Sequence, residues 1–358
     1  MPRLKSYSAI LVIIMFFIVY SNSCYSQTNE IKVGAYYFDG WTGAYADHIT
    51  PLLVEKFPDR EPIWGWKTST QDIMSKQIDV ATEAGLSFFN FLWYYYGGKD
   101  FRKQPLNQAL SYFMNAPNRS KMQFCITVVN HSGFNIGPKE LDNLADYWLS
   151  IFEQPNYLKV NEKPLIVFYD IKDLVAKFGS AEKVKQSFSF LRLKAKNRGL
   201  KGLSIAFCTY EGQVNQAYAC GADLVTGYNY HTIGFQQGPQ AIPIERMQEA
   251  EIKYWDKYAK NKKAKYIPTV TLGWDPRPWA TKANGYGYTP YYKGYSAESV
   301  YKSVTNGINW IRSHVKSVPK DKILMLYAWN ENGEGAWLTP GKTGLNPLTG
   351  VEKALKSK

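Results

Sequence analysis

Two glutamates three residues apart, Glu331 and Glu334, stand in the stretch "YAWNENGEGAW" (327–337), which overlaps the end of the apolar run "ILMLYAWN". Two carboxyl groups at one place are what cleavage of a glycosidic bond calls for, one to protonate the leaving oxygen and one to act as base or nucleophile. Gly333 and Gly335 leave the backbone around them free to bend sharply and to come close to a ligand. An E-x-x-E pair taken alone reads as a solvated acidic loop or a helix cap. Its surroundings must decide.

The pair follows the last of eight short β-branched and aromatic runs: 32–38, 86–94, 123–130, 164–170, 202–208, 223–229, 266–274 and 323–330. Most are apolar almost throughout rather than alternating, as strands buried on both faces of a parallel sheet are. Amphipathic stretches at 69–85, 138–154, 180–199, 242–261 and 296–315 lie between them, several opening at Ser, Thr or Pro and several closing at Gly, as helix caps do. Eight strands in βα alternation predict an α/β fold of the (β/α)8 TIM-barrel type, with a doubly wound open sheet as the alternative. No G-x-G-x-x-G turn follows the first strand, which favours the barrel.

In a barrel the segments after the strands gather on one face, where the active sites of this fold sit. Those segments hold Tyr37; Trp93; Asn130 and His131; Tyr169; Tyr228, Asn229 and His231; Trp274; and Asn330 with Trp337. Tryptophan and tyrosine faces pack on the C–H side of a sugar ring, while amides and carboxyls bind its hydroxyls. Trp93, Trp274 and Trp337 are therefore expected as sugar platforms, Tyr169, Tyr228, Asn229 and His231 as the cleft lining, and Tyr37, Asn130, His131 and Asn330 as further substrate-binding groups. Burial or the nearby Glu331 should raise the pKa of Glu334, the expected acid, while Tyr or Asn donors keep Glu331 ionised. Asp275 and Arg277 fit a structural pair as well as a substrate contact.

The chain opens with Arg3 and Lys5, an apolar run from Ala9 to Tyr20, and then small polar residues. That run is short for a bilayer span and fits a secretory signal. Residues 1–26 are expected to be a signal peptide and 27–358 the barrel, placed in a periplasm or at a cell surface. Lipid attachment at Cys24 is the alternative. No later segment is apolar and long enough to cross a membrane. With 358 residues, 45% of them hydrophobic, the chain can bury a large core. Its formal charge of +13 fits lysine-rich outer helices better than a nucleic-acid stripe, because the aromatics are not interleaved with the lysines.

The residues "AWNENGEGAWLTP" (328–340) resemble the W-N-E-W-x-E-G segment of glycoside hydrolase family 99 and the related WbsX-like proteins. The likeness extends to "VGAYYFDGW" (33–41), "YLKVNEKPLIVFYD" (157–170) and "VTLGWDPRPW" (270–279), in the same order along most of the chain. The resemblance implies a (β/α)8 barrel and a retaining α-glycosidase that needs no metal, endo-acting on mannose-rich glycans. It makes Glu331 the base that helps the substrate's own 2-hydroxyl attack the anomeric carbon, and Glu334 the acid that later serves as base toward water. The family has Trp and His between the two glutamates, whereas this chain has Asn332 and Gly333, which leaves the sugar open.

Other chemistries find less support. Gly341, Lys342 and Thr343 spell the end of a phosphate loop, but Ala336 stands where its first glycine belongs. His48, His131, His231 and His314 show no paired spacing and the cysteines are scattered, so no metal and no cofactor are expected. Cys125, Cys208 and Cys220 read as small buried hydrophobes, with a Cys208–Cys220 disulfide open as an alternative. The expected partner is a glycan or polysaccharide. A non-catalytic carbohydrate-binding or polysaccharide-assembly protein on the same barrel remains the alternative function.

Overall fold

The computed structural model describes residues 30–43, 48–98, 101–131, 133–236, 240–262, 264–281 and 283–357, without the side chain of Arg102. The expected signal segment and Cys24 lie outside them. Within Ile31–Lys358 the expected eight strands all form: β1 (Lys32–Tyr37), β2 (Phe88–Tyr94), β3 (Gln123–Val129), β4 (Lys163–Phe168), β5 (Ser204–Cys208), β6 (Leu224–Thr226), β7 (Thr269–Thr271) and β8 (Ile323–Tyr327). They run parallel in chain order from β1 to β6, and β8 pairs with both β7 and β1. Between β6 and β7 the ring closes through two backbone bonds, Val225 N to Lys265 O at 3.0 Å and Ile267 N to Val225 O at 2.9 Å. The hydroxyls of Thr226 and Thr269 meet there at 3.2 Å. The fold is therefore a (β/α)8 barrel.

The five expected helices are present as α2 (Gln71–Glu83), α4 (Pro138–Phe152), α6 (Ala181–Asn197), α8 (Ile244–Lys260) and α9 (Ala297–Ser313), with shorter helices α1 (Pro51–Lys56), α3 (Gln108–Asn115), α5 (Ile171–Phe178), α7 (Val214–Ala219) and α10 (Leu348–Lys356). Their starts follow capping chemistry. The hydroxyls of Thr70, Ser180 and Ser296 accept N–H bonds from Ile73, Lys183 and Ser299, and the Asp170 carboxyl accepts from Lys172 and Asp173. Among the described residues no helix is long and apolar enough to cross a membrane.

Side chains alternate between the barrel interior and the helix layer, and that parity sets the site. On β1, Tyr36 points inward and its hydroxyl donates across the barrel to Gly227 O at 2.6 Å, while Tyr37 packs outward on Phe89 and Phe91. On β2, Asn90 points inward and accepts from Thr127 at 2.9 Å, while Trp93 packs outward on Trp148 and Tyr147 of α4. Gly34 makes room for the interior ring of Phe88, which would lie 2.5 Å from a Cβ there. The cysteines Cys125, Cys208 and Cys220 are buried and free, so the alternative disulfide does not form.

Candidate active site

After β8 the chain makes a small antiparallel hairpin that pairs Asn330 with Trp337 and Glu331 with Ala336. Its turn, Asn332–Glu334, is a single 3-10 turn, and Gly335 closes it at φ +73°, a conformation that suits glycine. A side chain at 333 has no room, since its Cβ would lie 2.1 Å from the Trp279 indole. Trp279, brought in from the loop after β7, occupies the place that a bulky residue between the two glutamates would take.

The hairpin is anchored at its start. The Asn330 side chain accepts from Phe38 N at 2.8 Å and donates to Phe38 O at 2.7 Å, and Asn330 O accepts from the Trp41 indole N–H at 2.8 Å. These bonds place the two glutamates over the barrel mouth beside an array of tyrosines. Tyr228 donates to Glu331 Oε1 at 2.5 Å, and Tyr327 donates to Glu334 Oε2. The Tyr228 ring packs edge-on against Tyr36, Tyr169 and Tyr327, with centroids 5.1, 5.3 and 4.8 Å away. Tyr94 and Tyr169 also lie within the field of both carboxylates.

Removal from water dominates the electrostatics. Glu331 is 4% exposed, and burial pushes its pKa up to about 7 even though the Tyr228 hydrogen bond pulls it down. Burial pushes Glu334 further, to about 8. The expectation for Glu334 matches in direction, and of its two expected causes burial is the one at work. Glu331 differs from the expectation of a fully ionised base: it has the tyrosine donor, but one hydrogen bond does not offset its desolvation. Its other oxygen, Oε2, is buried and makes no hydrogen bond to any described residue.

The remaining expected residues divide into two groups. Tyr169, Tyr228 and Asn229 line a cleft of about 210 Å³ that also reaches Thr209, Tyr210 and Gln213. His131 packs on Tyr169 and Phe134 at the same rim. His231 is bound to Asn229 at 2.7 Å and stacked on Trp274 at 3.7 Å, and its burial lowers its pKa to about 4, so it is neutral.

Six expected substrate contacts sit where the fold gives their side chains other neighbours. Tyr37 and Trp93 lie on the outward parity, inside the helix layer. Trp274 is 5% exposed with His231 covering its face, and Trp337 is 3% exposed against Tyr295; both line a second cavity of about 230 Å³ with Arg60, Asp275 and Tyr291. Asn130 spends its side chain on backbone, donating to Asp170 O at 2.7 Å and accepting from Tyr169 N and Asp170 N. Asn330 is consumed in the same way by Phe38. Asp275 and Arg277 form the structural pair, with two bonds of 2.7 and 2.8 Å. Sequence reasoning passed over Tyr36, Tyr94 and Tyr327; strict alternation from an inward residue such as Asn90 would have selected Tyr94.

Comparison with known proteins now adds to this geometry. Residues 46–346 match the family model described as "Glycosyltransferase WbsX". The chain belongs to the WbsX family. Among curated proteins none matches it. Among solved structures, a GH99 endo-alpha-mannosidase from Bacteroides thetaiotaomicron is similar at 13% identity and a TM-score of 0.62, over 90% of this chain and 95% of that one. A "Glycoside hydrolase-like protein" gives 14% identity and a TM-score of 0.65, over 92% and 95%. An exo-beta-1,4-mannosidase from Opitutaceae bacterium strain TAV5 gives 12% and 0.53, over 92% of this chain and 59% of that one. At these identities the likeness establishes the shared barrel.

Proposed function

We propose that this chain is a secreted, retaining glycoside hydrolase that cleaves an α-linked glycan or polysaccharide, in the manner of an endo-α-mannosidase, with Glu331 as base and Glu334 as acid. The observation that carries the reading is the pair of glutamates on one short turn, Glu331 buried and Glu334 half-buried, each held by its own tyrosine. The ordering of the two pKa values, about 7 for Glu331 and about 8 for Glu334, fits the roles, because the base must lose its proton before the acid does.

The proposed sequence of events is as follows. Glu331 takes the proton of the substrate's 2-hydroxyl as that oxygen bonds to the anomeric carbon. Glu334 gives its proton to the departing glycosidic oxygen, leaving a 1,2-anhydro sugar. Water then adds to the anomeric carbon and passes a proton to Glu334, while Glu331 returns its proton to the 2-oxygen. Two inversions leave net retention. Tyr228 fits as the group that steadies Glu331 when it is ionised, and the cleft at Asn229, Tyr210 and Gln213 has hydroxyl-binding groups for a sugar ring. A chain bearing a signal segment would meet such a glycan in a periplasm or at a cell surface.

The family description favours a second reading, sugar transfer, in which an acceptor hydroxyl takes the place of water at the same two carboxyls. One experiment separates the cases. Residues 27–358 are incubated with a panel of α-linked polysaccharides, mannans foremost, beside Glu331→Gln and Glu334→Gln. The proposal expects oligosaccharide release retaining the α-anomer, with each variant slower by about 10² to 10⁴. Longer products made only when an acceptor sugar is added would favour transfer. Equal glycan binding by all three proteins without turnover would make this a binding protein.

A further inference from the structure

Behind the glutamate hairpin lies a charged cluster that the proposed chemistry does not use. Arg60, at the end of the 3-10 turn Pro58–Arg60, is 4% exposed. Its guanidinium donates to Asn332 O at 3.1 Å, to Asp275 O at 3.0 Å and to Asp275 Oδ2 at 2.5 Å. Asp275 N in turn donates to Glu334 O at 2.6 Å. Asn332 and Glu334 flank Gly333, so the two carbonyls gripped are those on either side of that glycine, the second belonging to Glu334 itself.

The grip is itself braced. Pro62 pairs with Gly341 beyond the hairpin, where Ile63 N donates to Pro340 O at 2.9 Å and Lys342 N donates to Glu61 O at 2.8 Å. Arg277 forks onto the Asp275 carboxyl from the outer side, and its own guanidinium lies 3.6 Å from the Tyr291 ring centroid. A buried cation is costly unless its partners are fixed, so Arg60 is held to this one arrangement.

We propose that Arg60 and Asp275 are positioning residues for Glu331 and Glu334, which hold the turn between the two by its carbonyls and fix both carboxyls without touching substrate. The inference rests on the catalytic reading of the two glutamates. Its mechanical content is independent of that reading: if the grip loosens, the turn shifts and water reaches both carboxyls.

The test uses the whole chain from residue 27 with glutamate labelled at its carboxyl carbon, and compares wild type with Arg60→Lys, Asp275→Asn and Arg277→Ala. Arg60→Lys retains the buried charge but cannot fork, and Arg277→Ala removes only the outer brace. Carboxyl titration by carbon NMR needs no substrate, with resonances assigned through Glu331→Gln and Glu334→Gln. The proposal expects both midpoints to fall in Arg60→Lys and Asp275→Asn, and to stay in place in Arg277→Ala. On a polymer that wild type cleaves, kcat should fall about a hundredfold with KM nearly unchanged. Folded variants with lower melting temperatures but wild-type midpoints would reduce Arg60 and Asp275 to structural residues and overturn the proposal. Should wild type cleave nothing, the hydrolase reading fails, and the midpoints still decide whether the grip exists.

Discussion

Two sets of carboxyl groups sit on opposite sides of one hairpin turn and have been treated in opposite ways. Asp275 is met by the guanidiniums of Arg60 and Arg277, which together with its hydrogen bonds hold its pKa below the usual carboxylate value despite its burial. Glu331 and Glu334 are met by tyrosine hydroxyls and, among the described residues, by no cation, and burial raises both. A carboxyl that serves structure is best kept permanently charged and paired. One that must exchange protons near neutral pH needs a surrounding that leaves its two states close in energy, and phenols with little water provide it.

The contrast is broken most strongly by removing charge on each side and measuring stability. Asp275→Ala would strand Arg60 in the interior and should cost about 3–5 kcal/mol in urea unfolding. Glu334→Gln, at the same turn, should cost little and should stabilise the protein at alkaline pH. The sign follows from linkage. With its folded pKa raised to about 8, Glu334 binds more protons folded than unfolded, so its contribution to stability is present below about pH 4.5 and is lost as pH rises toward 8. Glu251, at about 8, and Asp39, at about 7, act in the same direction. His231, lowered to about 4, loses stability instead as pH falls below about 6.5, so the clean window is pH 6.5 to 8. Stability should fall across that window in wild type and fall less in Glu334→Gln.

Smaller effects sharpen the same comparison. Asn130→Ala removes a side chain that makes three bonds to backbone and should destabilise by about 2–3 kcal/mol, while KM on a cleaved glycan stays within about twofold. An unchanged stability with a raised KM would return Asn130 to the substrate. Tyr228→Phe removes the hydroxyl that donates to Glu331 and should shift the acidic limb of the rate profile upward, with kcat lowered about tenfold.

Much of this molecule can be read from its sequence. All eight barrel strands and the five long helices follow from apolar runs and caps, and the glutamate turn follows from its place after the last strand. What the sequence hides is parity. A strand buried on both faces has little polar alternation, so "YY" at 36–37 does not say which ring faces the mouth, and at 93–94 only the lone polar Asn90 on the same strand marks the inward parity. Asn130 and Asn330 were legible as polar residues at strand ends, yet their bonds to Asp170 and Phe38 depend on loops whose course composition does not encode. Arg60 gave no signal at all, because its partners lie 215 and 272 residues away.

The central claim is that Glu331 and Glu334 form one proton-exchanging pair tuned by desolvation. The pH dependence of kcat/KM on a cleaved α-linked glycan tests it most directly. The account predicts a narrow bell, rising as the pair loses its first proton at about 7 and falling as it loses the second at about 8. A profile that is already maximal near pH 5, with a limb near the ordinary carboxylate value of about 4.5, would show that water reaches the pair and would contradict the account.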